Sequence, residues 1–348
     1  MPIPIHTAPP PLRSSYIIQQ LEGERVSIPG SKGTFRILAS AKQTDGRMSV
    51  FQSGAVLSDA PGFHYHKEAH DVFMVTKGFL KLWNGDKCRK MGPGDFAYVP
   101  PNIIHNPELL GPHTETLGLV VPGDWIDFFR YIGEPFEGIL VPEHDDRDLK
   151  SHVIPKVMSA PKDFDVHFVR DYNPPALSEW EETENVLPSG ELQPYFLRAN
   201  TGPRWMAGGV MSRPFITTKE SAGKFAISSI ESSSSYSSSL FSDYLAFPTV
   251  DHCLCVQEGA LGVSLKSDPE WVTLHEGETV MIAAGQSFKL QFKSRYVRVW
   301  SFTDGQGIEE LVHQAGAPCQ SFVLPDEAPT LDESKLESVI QKLCVTRG

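Results

Sequence analysis

Nowhere in the 348 residues do lysines and arginines gather into a run; 31 basic side chains are scattered among 43 acidic ones, for a formal charge of −12. Phosphate backbones are bound by concentrated basic faces, so nucleic acid is not expected as a partner. No apolar stretch reaches the roughly 18 residues that a membrane span needs, so no membrane partner is expected either. Glycosylation sequons are missing: Asn84, Asn102, Asn106, Asn173, Asn185 and Asn200 all fail the Asn-x-Ser/Thr rule. Cysteine is scarce, with five residues, an odd number, and no framework spacing. Cys253 and Cys255 sit on a strand pattern and read as small buried hydrophobes. The opening "MPIPIHTAPPPLRSSY" has no basic segment followed by an apolar run, so no secretory signal is expected. These absences together predict a cytoplasmic protein with free thiols.

What is abundant is turn chemistry. The chain has 28 glycines and 28 prolines, which suits an all-β protein better than a helical bundle. Residues 1–15 read as a Pro-rich arm. From 16 to 133, short alternating apolar runs such as "TFRILAS", "DVFMVTKGFLKLW" and "FAYVP" recur between turn clusters, the pattern of an antiparallel barrel. Trp125, Phe128, Phe129 and Ile132 then fall on one helical face, with Gly133 as a stop. Residues 134–190 are acidic and proline-rich, a linker with one helix near 146–158 and long enough to cover a barrel mouth. Strand-like alternation returns over 191–325, interrupted by a serine tract at 232–235 and 237–239 that reads as a solvated loop. A C-terminal helix is expected within 326–348, capped by Thr330 and Glu333.

The two β regions resemble each other. "DVFMVTKGFLKLW…MGPGDFAYVPPNIIH" parallels "HCLCVQEGALGVSL…LHEGETVMIAAGQSF", with glycines 16 apart in the first (Gly78, Gly94) and 18 apart in the second (Gly259, Gly277). This is an internal duplication of one barrel.

The first copy carries the chemistry. His64 and His66 are two apart, so on a strand both leave the same face; Asp71 follows after four residues, and His105 lies eleven past Gly94. Histidine and carboxylate are costly to bury unpaired, whereas three imidazoles and a carboxylate converging inside a barrel can hold one divalent transition metal with positions left open. Fe, Cu, Mn and Ni all suit such a donor set. Counting back from Gly259 by the same offsets puts Leu245, Phe247 and His252 at the ligand positions of the second copy, and Gly277 leads to Phe288. Three of those four are apolar, so the second barrel is expected to bind no metal in this way, with His252 a satisfied interior histidine. Phe35 and Phe51 are strand aromatics that read either as core or as pocket lining.

His-x-His, four residues, an acid, six residues and Gly resembles the first cupin motif, and Gly94, Pro100 and His105 resemble the second. Asp71 stands where that family usually has Glu, Asn102 where many cupins have Gly, and Leu109 where many have Asn. The stretches "SDAPGFHYHKEAHDVF", "KGFLKLWNG", "GDFAYVPPNIIHN" and "TLGLVVPGDWIDFFRYIG" are similar to fungal bicupin quercetin 2,3-dioxygenases, closely through residues 16–135 and more loosely beyond. The resemblance implies a bicupin of two tandem double-stranded β-helix barrels. It implies a metal held by His64, His66 and His105, with Asp71 as a weak ligand and as the base that takes a proton from the substrate's enolic hydroxyl. Phe73 would face a planar substrate, in that family a flavonol, whose ring opens with insertion of both atoms of O2 and loss of carbon monoxide.

Aspartate is one methylene shorter than glutamate and reaches roughly 1–1.5 Å less far, which leaves two places open for Asp71, on the metal as a fourth ligand or beside it, orienting a ligand or a water. Alternation puts His70, an alternative fourth ligand, on the face opposite Asp71. The expected activity is therefore that of a metal-dependent dioxygenase on a flavonol-like phenolic or polyketide aromatic. A tailoring enzyme of natural-product biosynthesis that uses no oxygen (isomerase, dehydratase, decarboxylase or cyclase) is the second reading, and a non-catalytic ligand-binding bicupin the third. A small aromatic substrate and O2 are the expected partners, and the metal-free barrel invites a homodimer.

Overall fold

A computed structural model describes residues 3–56, 61–160, 164–236 and 240–348. Two compact units emerge, one running 23–201 and the other joining the N-terminal residues up to 22 with 202–348. No helix among the described residues is long and apolar enough to cross a membrane, and all five cysteines are free.

The unit 23–201 is built on strands paired in the order Glu24–Ile28, Gly33–Ala39, Ser49–Ala55, His105–Val121, His70–Asn84 and Phe96–Val99. The other unit repeats that order with Trp205–Ala207, Val210–Ile216, Ala226–Ser232, Val297–Thr303, His252–Glu258 and Thr279–Ile282. The duplication read from the glycine spacing is thus a duplication of strand order. Gly78 and Gly259 occupy the same turn in the two copies, at φ 70° and 77°, and neither has room for a side-chain carbon against the carbonyls of His113 and Tyr296.

The boundaries of the units correct the expected domains. Residues 3–15 are not a loose arm: Ile5–His6 pairs in parallel with Tyr16–Ile18, and Ile3 is buried in the core of the 202–348 unit. Tyr16–Ile18 itself pairs with Thr279–Ile282, and Tyr195–Leu197, placed by the sequence at the start of the second barrel, pairs with Phe96–Val99 of the first. Each short strand that precedes a barrel in the chain is spent on the edge of the other repeat, a long-range choice that local alternation does not encode.

The segment 134–201 folds as part of the first unit. Helix α1 (Asp127–Ile132) ends at Gly133, and α2 (Leu149–Ser159) starts from Asp148, whose carboxylate accepts the Ser151 N–H. Further along, the guanidinium of Arg89, 1% exposed, is met by both carboxylate oxygens of Glu184 at 3.0 Å and by Glu181 at 3.1 Å. A buried charge needs such pairing, so this contact fixes residues 181–185 to the barrel wall.

In the other unit, α3 (Ile308–Ala315) and α4 (Glu333–Lys342) bury Leu311, Val312, Leu336, Val339 and Ile340 against the barrel. The cap of α4 is Asp332, accepting from Lys335 N, rather than Thr330. The serine tract begins inside a strand: Ser232 and Ser233 are buried, and the Ser232 hydroxyl donates to the Gly209 carbonyl at 2.7 Å. Its second half, 237–239, lies outside the described residues.

Candidate metal centre

The strand His64–Tyr65 runs antiparallel to the start of His105–Val121, with His64 directly opposite His105. Pairing in this register brings the two imidazole centroids to 4.3 Å. His66 follows in the next turn, its ring 5.3 Å from His64 and 5.2 Å from His105. One nitrogen from each of the three rings lies within 4.8 Å of the others, and all three side chains are buried.

The other nitrogens settle the tautomers. His64 Nδ1 faces the Gly62 carbonyl at 2.7 Å, His105 Nδ1 faces the Ile103 carbonyl at 3.0 Å, and His66 Nδ1 faces the Asp165 carbonyl. A carbonyl can only accept, so each Nδ1 carries the proton and each neutral ring presents an Nε2 lone pair. Burial first, and then the imidazoles of His105 and His66, push the His64 pKa well below the ordinary histidine range, so that ring is neutral.

Asp71 sits on the strand His70–Asn84, two residues before Phe73 and opposite Val120. Its Oδ2 lies 3.1 Å from His105 Nε2 and 3.2 Å from His66 Nε2, and the latter contact lacks hydrogen-bond alignment. Its carboxylate thus borders two of the rings, while the group in which all donor atoms lie within 4.8 Å is the three histidines alone. Burial raises the Asp71 carboxyl, but the His66 and His105 imidazoles outweigh it and hold it far below the usual carboxylate range. Burial likewise lowers His66, and the Asp71 carboxylate more than reverses this.

These contacts test whether the residues suit a cation. A carboxylate oxygen and a neutral imidazole lone pair are both acceptors, and two acceptors at about 3 Å repel unless positive charge lies between them. Either the rings take up protons or a cation binds, and three Nε2 lone pairs with an adjoining carboxylate form a donor set for a divalent transition metal.

Residues outside the motifs shape the centre. Asp165 was not singled out by the sequence, yet its carbonyl holds His66 and its carboxylate accepts the N–H groups of Lys67 at 2.8 Å, Glu68 at 2.7 Å and Ala69 at 3.0 Å. The strand His167–Phe168 that follows pairs with His64–Tyr65, so the presumed linker closes over the ligand strand. Trp125, read only as part of a helical face, packs edge-on against His66 at 4.9 Å and donates its Nε1 proton to the same Asp165 carbonyl at 3.3 Å. Asn102 adopts φ 66°, a left-handed conformation that Asn tolerates in place of Gly, and its N–H bonds the His66 carbonyl. His70 lies on the opposite face, bonded to the Tyr98 hydroxyl at 2.7 Å.

The candidate pocket aromatics divide. Phe73 lies 6.3 Å from the His105 ring. Phe51 and Phe73 flank Gly118 in register, which puts both on the face that carries Asp71. Phe35 is further off, stacked at 3.7 Å on Phe129, which in turn meets Phe51 and Trp125.

The second unit places Leu245 directly opposite Phe288, the positions of His64 and His105 in the first. His252 is interior, with its ring 4.7 Å from Phe247 and 5.5 Å from Phe288, but it is not satisfied: its Nε2 has no hydrogen-bond partner.

Residues 51–121 match the cupin domain family. With the same barrel found twice, the assignment follows. In fold, the chain is a bicupin. Over 335 residues the bicupin is 24% identical to quercetin 2,3-dioxygenase of Aspergillus japonicus, covering 89% of this chain and 95% of that one. It is also 34% identical over 127 residues to quercetin 2,3-dioxygenase of Bacillus subtilis (strain 168), a match that spans 36% of this chain and 37% of that one. Solved structures of similar fold include protein Ylba from E. coli, at TM-score 0.53 and 10% identity over 84% of this chain and 90% of that one. An oxalate decarboxylase structure follows at TM-score 0.51 and 12% identity, over 86% of this chain and 79% of that one.

Proposed function

We propose that this bicupin is a metal-dependent dioxygenase of a flavonol-like phenolic, with the metal held by His64, His66 and His105. The observation that carries the reading is the set of three backbone-anchored Nδ1–H groups, which leave three buried Nε2 lone pairs converging beside one carboxylate. The likeness to two quercetin 2,3-dioxygenases supplies the substrate class. A divalent transition metal bound there would supply Lewis-acid stabilisation of the substrate's enolate and redox access to O2.

The chain's own residues do the rest. Asp71, ionised and on the same strand face as Phe73, accepts the proton of the enolic hydroxyl at its carboxylate. Phe73 and Phe51 offer apolar faces to a planar ring, while the buried setting of the histidines keeps bulk water from the reacting centre. Trp125 and Asp165 hold the His66 ring in place.

The test combines elemental analysis with an oxygen electrode. Metal in stoichiometric amount, O2 uptake with a flavonol and release of carbon monoxide support the proposal; a fully active protein after exhaustive chelation refutes it. The shorter acid at position 71 favours one second reading, a metal-dependent tailoring enzyme that uses no oxygen, and turnover without O2 uptake selects it.

A further inference from the structure

The C-terminal barrel has its own buried polar pair, at the place where the first barrel has its carboxylate. His252, 1% exposed, stands at the offset of Asp71, and the phenylalanines 247 and 288 stand at the offsets of His66 and His105. The Val250 carbonyl faces its ring, which assigns the proton to Nδ1 and leaves Nε2 as a lone pair with no partner. Glu309, in the first turn of α3 and 3% exposed, is half satisfied. Its Oε1 accepts from Gly307 N at 2.7 Å and from the Thr303 hydroxyl at 3.1 Å, whereas Oε2 has no partner. Ser301, two residues before Thr303 and on the same strand face, adds a third buried polar atom without a bond.

The two orphan atoms are neighbours. A side-chain carbon on Gly307 would lie 2.8 Å from His252 Nε2 and 3.0 Å from Glu309 Oε2, so the two atoms stand no more than about 5.8 Å apart, a span that one bridging water covers. That point itself, with Thr303 Cγ2 at 2.5 Å, is too crowded for an occupant. Nε2 and Oε2 make no bond to each other.

We propose that the C-terminal barrel has a binding site for one water molecule, beside Gly307, bridging His252 Nε2 and Glu309 Oε2. A water donates to the imidazole lone pair and accepts from the acid, or donates to it when ionised, so a single molecule satisfies both. Phe247 and Phe288 leave a cation without further ligands, which favours water over a second metal. Burial pushes Glu309 up to about 7 and His252 down to about 4, so between those values both groups are neutral around such a water.

The experiment is a high-resolution crystal structure of the full chain, with Gly307→Ala, Glu309→Gln and His252→Phe variants and elemental analysis of each. A solvent peak within hydrogen-bond distance of both atoms is expected in the unaltered protein and in Glu309→Gln, whose amide can still donate to it. Gly307→Ala, whose methyl would push His252 and Glu309 aside, is expected to lack the peak and to unfold at lower temperature. If that variant does not fold, the Glu309→Gln and unaltered structures decide. An empty site, a direct His252–Glu309 bond, or loss of one metal equivalent in His252→Phe would overturn the proposal.

Discussion

His66 is held by a residue 99 positions further along the chain: its Nδ1–H donates to the carbonyl of Asp165. The other two candidate ligands are anchored locally, each to the carbonyl two residues before it. The centre thus depends on a segment outside the matched cupin domain, and the Asp165 carboxylate fixes that segment by three N–H bonds to the turn after His66. Asp165→Ala is expected to lower metal affinity by about 10–100-fold, the usual effect of removing support behind a ligand. Competition with a chelator measures it; unchanged affinity with a native fold would sink the positioning role.

Asp71 carries the proposed proton transfer. Asp71→Asn keeps the size and hydrogen-bonding capacity of the side chain but removes the base. Metal content is expected to stay at the level of the unaltered protein while kcat falls by about 10²–10⁴-fold. Full retention of turnover would refute the assignment, and loss of the metal would instead make Asp71 a required ligand. Asp71→Glu, which restores the residue usual in cupins, separates reach from charge.

His66→Ala is the complementary test. It removes one of three Nε2 lone pairs and leaves Asp71 beside one fewer imidazole. Both metal content and turnover are expected to be lost together. Metal retained at full stoichiometry, read by elemental analysis, would place the ion elsewhere.

The ligand spacing was legible because a strand has a period of two and the Gly turns repeat. His64 opposite His105, and Leu245 opposite Phe288, follow from the same offsets counted from equivalent glycines. Contacts made by a single polar residue over a long span leave no such period. Asp165 is one acid within an acidic segment; the faint signal was the alternation of Phe164, Val166 and Phe168 with Asp165 and His167, a short strand pattern inside the presumed linker. The exchange of Tyr16–Ile18 and Tyr195–Leu197 between repeats was hidden for the same reason, since alternation reports a strand but not its partner. Trp125 did lie in a helical pattern, and periodicity alone gave no hint that its indole touches a histidine.

Gly118 tests the pocket. It stands between Phe51 and Phe73 in register, and a side-chain carbon there would lie 2.7 Å from Phe51 Cζ. Gly118→Ala forces the Phe51 ring aside, with a stability cost of about 1–3 kcal/mol for overpacking. If Phe51 lines the substrate site, KM for a planar aromatic rises several-fold while metal content stays constant. A lower melting temperature with unchanged KM would assign Phe51 to the core alone.

His252 and Glu309 make opposite contributions to the pH dependence of stability. Burial lowers His252 from 6.5 to about 4, so between those values the unfolded chain binds the extra proton and stability rises with pH. Burial raises Glu309 from 4.5 to about 7, so the folded chain keeps its proton longer and stability falls as pH rises through that window. Each amounts to about 3 kcal/mol at most, and the two nearly cancel between about pH 4.5 and 6.5. The charges that bear on them are Asp251, itself paired with Arg13, and Glu310, and neither belongs to the pair. Glu309→Gln is therefore expected to leave a stability that climbs from about pH 4 to 6.5, and His252→Phe one that declines from about pH 4.5 to 7. Urea titrations of both variants across that range measure the slopes, and slopes of the same sign would show that the two groups do not offset each other.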